Sequence, residues 1–313
     1  MIDRRTLLAG LTAGAASTAL TRPAAAQSWK SAYPELVYAV VPAENASGVN
    51  DRYAAFVQYL SKQLDTKVTL RIANDYAAVI EGQRAGNIHI GYYGPASFSR
   101  ALVTGVKTTA FVIDVNNDGS KGYYSVFYVK KDSPYQKVED LKGKNLGLVD
   151  PNSTSGYNMP LFALNKLGIN AEKFFGKVVI TGSHENAVLA LWQGTVDVCA
   201  NFWNAPDDSN LTRMLNKGMI KNADGSPAKV DDFRIVLKSD LIINGPTAYL
   251  DSLPADLKQA IVTAFLDAEK NAPDAFKKLS DGKNKPFQTT DNAAYDDTIK
   301  LIQFVDKLRK QNG

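Results

Sequence analysis

The sequence predicts an α/β fold arranged as two lobes. Apolar, β-branched runs of strand length alternate with segments of helical period from about residue 35 to the end. Polar stretches interrupt the alternation at residues 130–137 and 239–246, where the chain can cross between two sheets. A length of 313 residues exceeds what one compact domain usually holds and suits two lobes.

The elements follow in order. Residues 36–41 read as a buried strand, and Tyr53, Phe56, Val57, Leu60 and Leu64 then recur at helical spacing. Strands at 68–72 and 88–93 flank a short helix at 76–84. Strands at 124–129 and 144–149 precede a helix at 154–167. A strand at 178–180, a helix at 185–193 and a strand at 196–200 repeat the unit. A strand at 233–237 is followed by a long helix from Pro254 to about residue 271 and a last one at 293–308. Continuous β-branched runs between helices imply parallel sheets covered on both faces. The divisions expected are residues 27–133 with 243–313 as lobe one, the C-terminal helices packing there, and 134–242 as lobe two.

Residues 1–26 read as an export signal. Arg4 and Arg5 open it, an apolar stretch follows, and Ala24-Ala25-Ala26 precedes Gln27. The paired arginines resemble a twin-arginine signal, although ordinary export signals also carry paired basic residues. The apolar run is broken by Gly, Ser and Thr and falls short of a membrane span. This segment holds Arg4, Arg5 and Arg22 against Asp3, so its removal lowers the net charge from +4 to +2. With no Lys/Arg cluster, that balance argues against nucleic acid. The single cysteine, Cys199, excludes an internal disulfide and reads as a buried thiol. One cysteine and two histidines leave little from which to build a transition-metal site, and no cofactor is expected.

The sharpest motif is Asp150-Pro151-Asn152-Ser153-Thr154-Ser155-Gly156, between a strand and a helix. Ser153 or Thr154 suits an N-cap, and a helix start offers unpaired N–H groups and the positive end of the dipole. Three hydroxyl residues add donors there, and Gly156 leaves space for a ligand to approach the backbone. No lysine of a nucleotide-binding loop follows. A capped, polar helix start is the plainer alternative. His184 sits at another strand-to-helix junction, where it can donate to an oxyanion or cap its helix. Tyr76 and Tyr93 occupy strand-end positions, where cleft residues belong in open α/β sheets. No nucleophile elbow, zinc-protease motif or spaced acid–base pair is present, so the chain does not read as an enzyme.

These strings, with Asn74-Asp75-Tyr76-Ala77, Gly91-Tyr92-Tyr93-Gly94-Pro95, Gly122-Tyr123-Tyr124-Ser125-Val126, Gly182-Ser183-His184-Glu185 and Val196-Asp197-Val198, carry a resemblance over residues 35–285. The chain resembles the periplasmic phosphonate-binding proteins of ABC importers, within the broader phosphate/phosphite/phosphonate substrate-binding family. The resemblance implies a type II periplasmic-binding fold, two Rossmann-like lobes joined by a two-crossing hinge that closes on the ligand. It implies that Ser153, Thr154 and Ser155 bind the oxygens of a small phosphorus oxyanion and that Tyr76, Tyr93 and His184 complete the shell. It further implies an ABC permease of the inner membrane as partner; the export signal, with no cysteine near it for a lipid anchor, points to the periplasm, and a monomer is the default for a hinged binder. Another anion, such as sulfonate, sulfate or phosphate, and a ligand-presenting subunit of a membrane sensor are the alternatives.

One departure bears on the ligand. Aminoethylphosphonate binders of this family place acids near the ligand ammonium, after the Val-Asp-Val strand and before a proline near the return crossing. Ser209 and Gly245 occupy those places here. Asn201, Phe202, Trp203 and Asp208 are the residues nearby that would contact a ligand side group. The expectation is a ligand without an amine, such as phosphite or methylphosphonate, because an unpaired buried ammonium costs several kcal/mol.

Overall fold

A computed structural model describes residues 29–312; the expected export signal, residues 1–26, lies outside the described residues. Lobe one begins with β1 (Glu35–Val40), α1 (Ala46–Leu64), β2 (Lys67–Ile72), α2 (Tyr76–Arg84), β3 (Ile90–Tyr92), α3 (Pro95–Val103) and β4 (Thr108–Asn116). The second sheet is built from β5 (Gly122–Lys130), β6 (Asn145–Leu148), β7 (Lys177–Ile180), β8 (Val198–Ala205), β9 (Asp208–Ser209), β10 (Phe233–Lys238) and β11 (Ile242–Ile243). Its helices are α4 (Met159–Lys166), α5 (Ala171–Phe174), α6 (His184–Trp192) and α7 (Asn210–Asn216). The chain then returns through β12 (Pro246–Leu250), α8 (Ala255–Leu266), α9 (Ala268–Asn271), α10 (Pro273–Leu279), β13 (Asn284–Thr289) and α11 (Asp296–Asn312).

The two sheets share one plan. The first runs β13-β4-β12-β3-β1-β2 and the second β10-β5-β8-β6-β7. Three parallel strands form the heart of each, β2-β1-β3 and β7-β6-β8. The strand that enters after each crossing, β12 or β5, pairs antiparallel with the third of them. The sheets are therefore mixed rather than parallel throughout. A chain that crosses and joins the far sheet at once, with no helix between, enters it reversed.

The first crossing lies at residues 117–121, not at 130–137. β5 belongs to the second sheet, which moves residues 122–133 out of the lobe the sequence assigns them to. Asn117-Asp118-Gly119, with Gly119 at φ +88°, looks like a hairpin turn, but here it sends β4 and β5 into different sheets. The return, residues 244–245, falls within the expected stretch. Asn244 ties the two crossings together: its N–H donates to the Lys121 carbonyl (2.9 Å) and its amide to the Asp114 carbonyl (2.9 Å). β12 begins on Pro246, which a strand tolerates at its first residue.

Helices α8 and α10 pack on lobe one through Leu257, Ile261, Phe265, Phe276 and Leu279, as expected. Helix α11 does not stay there. Its Leu301 and Val305 join the lobe-two core with Phe127, Leu146 and Leu148, while Asp306 pairs with Arg100 of α3 (2.9 Å). Its apolar stripe is wide enough to meet both lobes. Among the described residues no helix is long and apolar enough to cross a membrane.

Candidate functional site

A cavity of about 170 Å³ opens between the lobes at the carboxyl ends of the parallel strands. Four helices begin on its wall. From lobe one come α2, capped by Asp75 (Ala78 N–H to its carboxylate, 2.7 Å), and α3, with Gly94 and Pro95 at its start. From lobe two come α6, capped by Ser183 (3.1 Å from Asn186 N–H), and the turn that leads into α4. Helix starts present unpaired N–H groups and partial positive charge, and four of them together suit a small anion.

The turn at Thr154–Asn158 is wider than an α-helix, because the Asn158 N–H reaches five residues back to the Ser153 carbonyl (3.1 Å). Ser153 is the cap, accepting from the Gly156 N–H at 3.1 Å. Gly156 serves packing rather than ligand access. A Cβ there would lie 2.4 Å from Val149 Cβ, so the glycine lets the turn lie against its own strand.

Around this turn the hydroxyl groups gather. Burial pushes the Tyr76 hydroxyl above its usual range, offset by its contact with Ser153. Burial likewise pushes Tyr123 up to about 12, offset by Thr154 and Ser155. Both phenols are therefore neutral donors. His184 Nε2 lies 3.4 Å from Ser153 Oγ, and its Nδ1 is buried without a partner. Burial lowers the His184 pKa to about 4, so the ring is neutral near pH 7. With Ser183 as the cap, His184 is free to face the cavity it borders.

The lobes touch across this cavity. Thr154 Oγ1 accepts from the Ala96 N–H at the start of α3 (2.8 Å). The His184 N–H donates to the Ala43 carbonyl (3.2 Å), and the Asn45 N–H to Glu185 Oε2 (2.7 Å). Glu44 of lobe one meets Arg213 of lobe two at 3.2 Å.

Ser153, Thr154, Ser155, Tyr76 and His184 thus come together as the sequence anticipates, and Tyr93 does not join them with its hydroxyl. That hydroxyl donates to Gln83 Oε1 (2.9 Å) inside lobe one, although the fully buried residue borders the cavity. Neighbouring residues at a strand end point to opposite sides; Tyr92, not Tyr93, sends its hydroxyl to a cavity residue, Asp114 (2.9 Å). Of the four residues expected beside a ligand side group, Phe202 alone borders the cavity, edge-on to His184 at 5.2 Å. Asn201 is buried and donates to the His184 carbonyl (2.9 Å). Trp203 packs beside Tyr124, under Lys238. Asp208 accepts from Asn204 (2.8 Å). Ser209 caps α7. Tyr123 and Asp114 are the site residues that pattern reading missed. Tyr123 stands in a quoted motif, yet nothing in its spacing tells which of Tyr123 and Tyr124 faces the turn.

Comparison with known proteins agrees with this geometry. Residues 38–295 match the family described as ABC transporter, phosphonate, periplasmic substrate-binding protein. The chain is 31% identical over 240 residues to the phosphonates-binding periplasmic protein of Escherichia coli K12, covering 75% of this chain and 66% of that one, just under two thirds of its length. It is 30% identical over 242 residues to the phosphate-import protein PhnD of Mycolicibacterium smegmatis, covering 74% and 72%. The crystal structure of a binding-protein component of an ABC phosphonate transporter from Pseudomonas aeruginosa superposes with a TM-score of 0.75 at 25% identity, over 90% of this chain and 89% of that one. A two-lobed fold, four helix starts around one cleft and a family match over most of the length lead to one assignment: the chain belongs to the periplasmic phosphonate substrate-binding proteins of ABC transporters.

Proposed function

We propose that this protein captures a phosphonate or a related phosphorus oxyanion, such as phosphite, between its lobes and presents the closed form to an ABC permease. The observation that carries this reading is the convergence of Ser153, Thr154, Ser155, Tyr76, Tyr123 and His184 on a turn ringed by helix starts. These donors are neutral, and a buried oxyanion is stabilised by many charge-assisted hydrogen bonds without a cationic side chain. Closure is a hinge motion about residues 117–121 and 244–245. The protein works as a carrier without catalysis, as a monomer in the periplasm, reached by the twin-arginine or the ordinary export route.

The M. smegmatis relative is named for phosphate import, so phosphate is the second ligand to weigh. Calorimetry on the chain without residues 1–26 separates them, titrating methylphosphonate, phosphite, phosphate and sulfate in turn. Tight binding of methylphosphonate or phosphite with weak phosphate supports the proposal. Tight phosphate alone replaces the ligand, and silence from every phosphorus anion rejects the function.

A further inference from the structure

The loop between β1 and α1 belongs to lobe one, yet lobe two holds each of its last three residues. The His184 N–H, at the start of α6, donates to the Ala43 carbonyl (3.2 Å). The next residue of that helix, Glu185, accepts from the Asn45 N–H at Oε2 (2.7 Å). Between them Glu44 receives Arg213 of α7 (3.2 Å) and Lys217 just past the end of that helix (3.7 Å). Glu44 also pairs with Arg52 of its own lobe, and its side chain is only 4% exposed. Burial raises the Glu44 pKa, but Arg52, Arg213 and Lys217 outweigh it and hold the carboxyl below its usual range. Glu44 is therefore a charge enclosed between the lobes.

Two of its three cations come from the far side of the cleft. Arg213 is carried by lobe two, but both of its carboxylate partners, Glu44 and Asp281 (2.8 Å), stand on lobe one. Its own lobe offers it the Phe202 ring, with the guanidinium 5.6 Å from the centroid. Arg52 is on lobe one with Glu44 and also donates to the Leu279 carbonyl (2.7 Å), so parting the lobes does not strand the carboxylate. Burial makes such a pair worth more than an exposed one, where salt and water screen the charges. Lys283 and Asp207 (2.6 Å) supply the contrast. They also pair across the lobes, but beside the first crossing, where the Asn117 N–H donates to the Lys283 carbonyl (3.1 Å), and the Asp207 side chain is 77% exposed. The start of α6 serves both jobs: the His184 ring borders the cavity beside Ser153, while its backbone N–H and Glu185 hold the loop. A ligand that binds that ring and a loop that binds the same helix start favour one closed arrangement.

We propose that residues 43–45 form a clasp for the closed form, with Arg213 as the positioning residue that fastens it across the cleft through Glu44. The Arg213 guanidinium is committed to two carboxylates, so it sets how long the anion is retained and leaves the choice of anion to the hydroxyl groups of the turn. Contacts completed after the lobes meet act on dissociation rather than on encounter. The clasp goes beyond the phosphonate reading and applies to whichever anion the turn takes.

Stopped-flow kinetics with methylphosphonate and phosphite on the chain without residues 1–26 tests it. Arg213→Met keeps an apolar stem against Phe202 and removes the charge. Dissociation should become about tenfold or more faster, association should change by less than about twofold, and the ratio of the two affinities should not change. Lys217→Met, which removes the longer and more exposed contact, should quicken dissociation about threefold. Lys283→Met should leave both rates as they are. A residue serving stability alone would lower the melting temperature without touching dissociation. An unaltered dissociation rate in Arg213→Met overturns the proposal, and so does an equal acceleration in Lys283→Met. A changed affinity ratio would make Arg213 a ligand contact and reject its role in the clasp. Should Arg213→Met fail to fold, Lys217→Met decides instead, and a dissociation rate equal to that of the unaltered protein sinks the clasp. If the unaltered protein binds no phosphorus anion, the phosphonate reading falls, and small-angle scattering of the ligand-free proteins tests the clasp by itself. Arg213→Met should then have the larger radius of gyration, and equal radii would reject the clasp as well.

Discussion

Removing the Ser155 hydroxyl separates oxyanion binding from helix capping. The cap belongs to Ser153, whose Oγ accepts from the Gly156 N–H, so Ser155→Ala leaves it intact. The Ser155 carbonyl keeps its bond from Ser125 Oγ (2.6 Å), and Tyr123 keeps Thr154 as a neighbour. The ligand-free fold should therefore lose no more than about 1 kcal/mol, the net worth of one neutral hydrogen bond. A hydrogen bond to a charged oxygen is worth about 1.5–3 kcal/mol, which weakens Kd roughly 10- to 150-fold. Calorimetry with methylphosphonate, paired with a thermal melt, reads both quantities. A variant with an unaltered melt and an unaltered Kd would refute the role given to Ser155, because it removes a donor that the bound anion is said to use. Ser153→Ala is the informative contrast. It loses the same class of contact and the cap as well, worth about 1 kcal/mol, so its melt should fall while that of Ser155→Ala does not.

Two further outcomes follow from the geometry. Gly245→Asp, which on sequence grounds should improve amine binding, should instead destabilise the protein. A Cβ at Gly245 lies 2.0 Å from the Tyr93 carbonyl oxygen, and overpacking of this kind costs about 1–3 kcal/mol or more; a melting temperature equal to that of the unaltered protein would show the crossing to be looser than described. His184 sets an acid limit. Burial lowers its pKa from 6.5 to about 4, so its contribution is complete above pH 6.5. It is lost as pH falls through the window down to 4, where the unfolded chain binds a proton that the folded one refuses, roughly 3 kcal/mol in all. Chemical denaturation across that window should show a shallower slope in His184→Gln, and identical slopes in the two proteins would remove His184 from the account.

Much of the proposed anion site is legible because its chemistry is local. A strand, a Pro-Asn turn and three hydroxyl residues before a helical pattern identify a capped helix start from neighbours in sequence alone. The same holds for His184 and Tyr76, each at a strand-to-helix junction. Tyr93 shows where that logic stops. Residues 92 and 93 look equivalent in the string Gly-Tyr-Tyr-Gly, and only the sheet decides which ring meets the cavity and which is spent on Gln83. Asp114 carries no signal in sequence. It is one acid in an apolar strand, and its lack of a basic partner appears only once Arg52 and Arg213 are seen to be held by Glu44. The first crossing was misplaced for a related reason: a turn sequence tells where the chain bends, not which sheet receives the next strand.

By itself the sequence determined the alternating α/β composition and the hydroxyl-rich helix start, since these depend on residue type and on spacing over a few positions, and its motif strings carried the resemblance to the family. The tertiary structure decided which strands share a sheet, that α11 bridges both lobes, and that Tyr123 and Asp114 line the cavity that holds the anion turn. Those properties arise from contacts between residues far apart in the chain, and their energies depend on what else is buried beside them.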